Sequence, residues 1–253
     1  MKPLPDGWRL TKLGQVLTLQ SNGKLVQQGW SPRCHTRPAE EGEWGVLKTT
    51  SIQAGSFHDT HHKALPDELR ARPAIEVQPG DLLITCAGPR ARCGVPALVR
   101  TTRPRLMMSG KMYRLRPTEV LDARYLEAWL LSPVAQKLID QMKTGISDSG
   151  LNLTHGRFLE LPVPVPPLVE QLRIVDVLDG HLSRLDAASA SLANGRARCV
   201  TWEEAWLQTR LSSAPSDELT TVGSALTECR GGWSRSRQHL ASRFHVVGVE
   251  YGA

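Results

Sequence analysis

The stretch from Leu161 to Pro167, LPVPVPP, holds four prolines in seven positions. No segment constrains the fold more. Proline fixes φ, lacks a backbone donor and biases its predecessor away from helix, so these residues are extended or polyproline and mark a boundary. Beyond them a helical stretch runs over roughly 168–211, with apolar or small residues recurring as heptads at Leu168, Val175, Leu178, Leu182, Leu185, Ser189 and Leu192. Cys199 and Trp206 extend the register, whereas Asn194-Gly195 weakens it and marks a candidate break. At 1.5 Å per residue such a helix spans on the order of 60 Å. A narrow stripe on so long a helix predicts a partner helix, from a second domain or a second chain; the competing reading is packing on its own globular domain.

Upstream of the prolines the pattern is mixed. Residues 8–20 read as a short helix or a strand, and 21–45, rich in Gly, Pro and polar residues, as loop. Residues 46–52 read as a β segment with polar punctuation. Pro79-Gly80-Asp81 is a turn before a buried strand, Leu82 to Cys86. Val95 to Val99 predicts a strand, and 106–115 another, broken near Ser109-Gly110. Asp122 is a candidate N-cap for a helix over 123–131, and Ser132 with Pro133 restarts a second one. Residues 144–153 read as a polar loop. The fold class is therefore α+β: a sheet-containing domain over residues 1–166, a long helix over 167–212, and the start of a further domain over 213–253. The last part rests on an internal echo. LTKLGQVLT at 10–18 returns as LTTVGSALT at 219–227, with five of nine positions matching.

Charge points to an anionic partner. The formal net charge of the 253 residues is +6. The window Arg70–Arg116 alone carries ten basic and two acidic residues, +8, which leaves −2 elsewhere. Clustered cations suit phosphate, and the planar arginine fork suits both phosphate and guanine edges. The competing reading is solvated arginines whose stems cover apolar surface. No stretch approaches a membrane span, the N-terminus lacks an apolar signal core, and the five scattered cysteines fit free thiols in a reducing cytosol.

Enzyme signatures are missing. Gly110-Lys111 and Gly23-Lys24 have Arg105 and Thr18 where a phosphate loop needs its first glycine. No lysine follows an acid by two positions, and no Asn/Asp-Pro-Pro-aromatic methyltransferase motif is present. His58, His61 and His62, beside Asp59 and downstream of Cys34-His35, lack a recognised ligand spacing and read as solvated loop histidines rather than a zinc site. Candidate DNA contacts are Lys48, Thr49, Thr50 and Gln53 after the first β segment, Arg90 and Arg92 after the Leu82–Cys86 strand, Arg103 and Arg105, and Ser109 and Lys111 at the later break. Candidate helix-pairing residues are Val175, Leu178, Leu182, Leu185 and Leu192.

Five segments together resemble the specificity subunits of type I restriction-modification systems. They are Leu4 to Gly14 (L-P-x-G-W-x-x-x-x-L-G), VLKTTSIQAGSF at 46–57, PGDLLITCAG at 79–88, GISDSGLNLT at 145–154, and LPVPVPPLVEQLRIVDVLD at 161–179. The resemblance implies two target recognition domains, each followed by a long helix, the helices packing antiparallel as a spacer and each domain reading half of a split DNA site. It implies adenine-N6 methyltransferase partners that use S-adenosylmethionine, restriction-translocase partners, no cofactor or catalytic residue in this chain, and a cytoplasmic location. One complete domain, one helix and only the beginning of another depart from that pattern and fit a truncated chain, an interrupted gene product or a natural half-subunit; in the family, half-subunits restore the two-domain geometry by pairing with a second copy. Two other readings stay open: the detached recognition domain of a fused restriction-methylation enzyme, and an anti-restriction interaction protein, against which the positive charge argues.

Overall fold

The computed structural model describes residues 4–212. The chain divides into two compact units, Met1–Asp186 and Ala187–Ala253. In the first, β1 (Arg9–Lys12) leads through a 3₁₀ turn to β2 (Val26–Gln28), β3 (Gly45–Leu47), β4 (Ile52–Gln53), β5 (Ser56–Phe57), β6 (His62–Ala64), β7 (Leu82–Thr85), β8 (Ala87–Gly88), β9 (Pro96–Leu98), β10 (Leu106–Met107) and β11 (Met112–Leu115). Helices α1 (Ala123–Leu131) and α2 (Pro133–Met142) follow, then β12 (Lys143–Thr144), β13 (Leu151–Leu153), α3 (His155–Leu159) and β14 (Pro162–Val165). Helix α4 (Leu168–Ser212) begins in the first unit and continues into the second. The architecture is α+β, as its composition of short strands and terminal helices predicts.

The organising sheet is β2-β11-β7-β9, antiparallel throughout. Its strand β7 is buried at every position because both faces are covered. Leu82 and Ile84 point into a core shared with Leu126, Ile139, Phe158 and Val175. Leu83 points into a second core with Val46, Leu47, Ile52, Leu106 and Met107. That second core belongs to the sheet β10-β3-β6, in which β10 and β3 run parallel.

Local chemistry sets the helix starts. The Asp122 carboxylate accepts from the backbone N–H groups of Arg124 (2.8 Å) and Tyr125 (3.2 Å). Ser132 caps α2 through the N–H of Ala135, with Pro133 at the first position. Asn194-Gly195 does not break α4. A glycine inside a helix costs about 1 kcal/mol relative to alanine, which lowers stability without forbidding the conformation.

The proline run is not a spacer outside the domain. β14 pairs antiparallel with β1, Arg9 opposite Val165 and Lys12 opposite Pro162. β1 is its sole ladder neighbour among the described residues, so its prolines interrupt no second ladder. Val163 and Val165 are buried. α4 is then bolted on by Gln171, fully buried, whose amide donates to Val120 O and Pro166 O (2.9 Å each) and accepts from the N–H of Asp122 (2.8 Å).

Other expectations change. The 46–52 segment is two short strands separated by a 3₁₀ turn at Thr49–Ser51, and the predicted loop at 21–45 contains β2. The predicted loop at 144–153 contributes β12 and β13, which pair with each other and, through β13, with β8. The echo at 219–227 and the predicted domain start at 213–253 lie outside the described residues.

Candidate nucleic-acid interface

Strand directions bring several loops to one end of the four-stranded sheet. β2 ends at Gln28 and β7 at Thr85, whereas β11 begins at Met112 and β9 at Pro96. The strap 29–31, the loop 86–95 and the turn Ser109-Gly110-Lys111 therefore emerge together. The parallel pair β3 and β10 runs into the same end, delivering Lys48 to Ser51 beside Ser109. Loop 145–150 joins them, since Leu151 and Asn152 pair with Gly88 and Ala87, and the Arg90 N–H donates to Asp148 O (2.8 Å).

The sequence candidates occupy this end unequally. Lys48, Thr50, Gln53 and Lys111 are exposed. Among the described residues, the Lys48 and Lys111 ammonium groups make no ion pair. Thr49 is half-buried. Arg90 is exposed but forms ion pairs with Asp140 (2.8 Å) and Asp148 (3.0 Å), which hold its pKa up and tie loop 145–150 to α2. Arg92 directs its guanidinium at backbone, donating to Thr49 O (2.5 Å) and Ile52 O (3.1 Å). It shapes the 49–52 turn rather than facing solvent. Ser109 is buried, and its hydroxyl accepts from the Lys111 N–H (3.2 Å).

Arg103 and Arg105 lie elsewhere, before β10, at the opposite end of the three-stranded sheet. Arg103 donates to Ala39 O, Glu40 O and Glu43 O, and Arg105 to Gly42 O. Both staple loop 39–43, where Arg37 holds the Glu43 carboxyl down at about 2, chiefly by side-chain hydrogen bonds. Three further arginines of the basic window are also tied to protein groups. Arg100 pairs with buried Glu127, and Arg114 and Arg116 with buried Asp81. The +8 window is thus largely an internal scaffold of guanidinium groups.

The histidines are not all solvated. His62 lies in β6, buried, with its ring nitrogens against Asp59 O (2.7 Å) and Ala39 O (3.3 Å). His61 meets Thr50 O (2.9 Å) and stacks with His58. Among the described residues, no group of His, Cys, Asp and Glu is arranged to hold a metal ion, and no helix is long and apolar enough to cross a membrane. Burial pushes the Cys86 thiol up to about 12, so it is an inert core group.

The strap Gly29-Trp30-Ser31 went unseen in the sequence because β2 is three residues long inside a polar, glycine- and proline-rich region. It packs directly on the 109–111 turn. The Trp30 N–H donates to Met108 O (2.9 Å), the Gly110 N–H to the Ser31 hydroxyl (3.0 Å), and the Gln28 amide to Gly110 O (2.6 Å). A Cβ at Gly29 would overlap the carbonyl oxygens of Met108 and Ser109. Gly29→Ala is therefore expected to destabilise the domain by about 1–3 kcal/mol, the usual range for overpacking. Urea denaturation reads this directly, and an unchanged midpoint would show that the two loops separate easily. The interface that results has exposed cations and hydroxyl and amide groups on a rigid base, a composition suited to phosphates and base edges.

Comparison with known proteins gives a consistent result. A family model for the type I restriction modification DNA specificity domain matches residues 5–192. The specificity subunit of the type I restriction enzyme EcoEI of Escherichia coli is 31% identical over 195 residues, 76% of this chain and 32% of that protein. The StySPI specificity subunit of Salmonella potsdam is 23% identical over 221 residues, 87% of this chain and 45% of that protein. The chain thus spans less than half the length of these relatives. A chain from a solved structure concerning complex assembly and conformational transition of the type I R-M system shares the fold. Its TM-score is 0.57 at 24% identity, over 81% of this chain and 46% of that one.

Proposed function

This chain belongs to the family of type I restriction-modification DNA specificity domains, and from that premise we propose that it is the DNA-reading, non-catalytic component of a type I system. It recognises one half of a split target and docks adenine-N6 methyltransferase subunits, which supply S-adenosylmethionine and the chemistry. Restriction-translocase subunits join that core in the cytoplasm. The observation that carries the reading is the convergence of the 29–31 strap, the 48–53 segment, the 86–95 and 145–150 loops and the 109–111 turn at one sheet end.

In this reading Lys48 and Lys111 neutralise phosphates and set register. Thr50 and Gln53 present hydroxyl and amide groups to base edges in the major groove. Arg90 and Arg92 act one step back, ordering loop 145–150 and the 49–52 turn. Arg103, Arg105 and Ser109 support loops, and Thr49 offers its carbonyl to Arg92. Leu178, Leu182, Leu185 and Leu192 pair α4 with a second helix, from a second copy or a further domain. Val175 instead anchors α4 to its own domain, where it is 2% exposed.

The test is a genome-wide map of N6-methyladenine in cells expressing this chain with a cognate methyltransferase subunit, against cells with the methyltransferase alone. A new methylated motif divided by an unspecified spacer is expected, and a palindromic one if two copies assemble. A stable complex that methylates no new motif would refute the assignment.

A further inference from the structure

Beside the 109–111 turn the guanidinium of Arg72 lies over the indole of Trp30, 3.9 Å from the ring centroid. The backbone fixes both partners. The Trp30 N–H is held by Met108 O, and the Arg72 N–H donates to the Met107 sulfur (3.2 Å). Trp30 is half-buried and packs against the second core, whereas Arg72 is exposed. Stacking engages the face of a guanidinium and leaves its in-plane N–H donors available. Arg90, Arg92, Arg100, Arg103, Arg105, Arg114 and Arg116 all direct donors at protein acceptors. Arg72 differs: among the described residues its side chain makes no hydrogen bond or ion pair, and its guanidinium rests on the Trp30 ring.

A held, planar fork with open donors at the edge of the proposed reading surface matches the O6 and N7 acceptors of a guanine in the major groove. We propose that Arg72, held flat by Trp30, is a specificity-determining residue that reads one G·C pair of the target. Trp30 is its positioning residue. The inference rests on the DNA-reading function proposed above and names one contact of that site. Phosphate offers the same fork similar geometry. The rigid aromatic backing favours a base edge, because discrimination between bases needs fixed orientation whereas charge neutralisation does not.

The experiment uses the full chain with its methyltransferase partner, reading the methylated motif and competing the complex between duplexes altered at each target position. In the wild type, one G·C position is strictly required. Arg72→Ala and Arg72→Lys relax that position, lowering discrimination there on the order of 10- to 100-fold, since lysine lacks the bidentate fork. Trp30→Ala relaxes the same position, and Trp30→Phe, which keeps an aromatic platform, retains it. Unchanged discrimination in Arg72→Ala overturns the inference, as does a target lacking G·C pairs. Equal weakening on every duplex, with the motif intact, also overturns it and assigns Arg72 to phosphate. A wild-type complex that methylates no motif removes the parent reading and this inference with it. A clear wild-type motif untouched by Arg72→Ala removes this inference alone.

Discussion

Asp81→Ala is expected to destabilise the first unit by about 3–5 kcal/mol, the range for breaking a buried ion pair by deleting one partner. Asp81 stands at the turn before β7, only 2% exposed. Its carboxylate meets Arg114 (3.4 Å), Arg116 (2.9 Å) and the N–H of Gln78 (2.9 Å). Arg114 is 3% exposed on β11, in the middle of the organising sheet. Burial, and secondarily the neighbouring Arg116 charge, pulls its pKa down, and the facing carboxylate opposes that shift. Without Asp81, Arg114 keeps its donors to Gln20 Oε1, Glu76 O and Ala74 O but loses its countercharge. Thermal denaturation would register this as a drop on the order of 10 °C. Asp81→Asn separates charge from hydrogen bonding. It keeps acceptor capacity and removes the charge, so an intermediate loss is expected, and equal melting of Asn and wild type would show that the countercharge contributes little.

What was legible in the sequence follows from how local each signal is. α1 and α2 were readable to the residue at their starts, because Asp122 and Ser132-Pro133 act within one helical turn. β7 was readable because a strand buried on both faces is a continuous apolar run. β8, β12 and β13 were not, being two or three residues long and defined by partners far away in sequence, such as Gly88 opposite Leu151. The same limit governed the interface. Counting cations found the basic window, but each arginine's role is set by a distant acceptor: Thr49 for Arg92, Ala39 for Arg103, Asp140 and Asp148 for Arg90. Lys48 and Lys111 remain exposed, whereas Trp30 and Arg72 come together through the Met107 sulfur and the backbone of Met108 and of the strap.

Leu185→Lys with Leu192→Lys is expected to leave the melting of the chain within about 0.5 kcal/mol of wild type while weakening helix pairing at least about a hundredfold. The two leucines are 63% and 75% exposed, and every residue from His181 to Ser212 is exposed. A helix with no covered face is marginal in water, because its stability comes mainly from burying an apolar stripe. At roughly 1.5–3 kcal/mol for each leucine that pairing buries, the double variant removes about half of what the four-leucine stripe supplies. Leu178 and Leu182 are poorer probes. They line a cleft of about 440 Å³ with Gly55, Leu131 and Val175, so changing them disturbs the domain as well as the helix face. Sedimentation over a concentration series reads pairing between copies, and co-purification with the methyltransferase reads assembly. A variant that melts well below wild type yet keeps its mass would mean the stripe packs within its own chain. A variant that melts normally and sediments as a smaller species would assign the stripe to a partner helix.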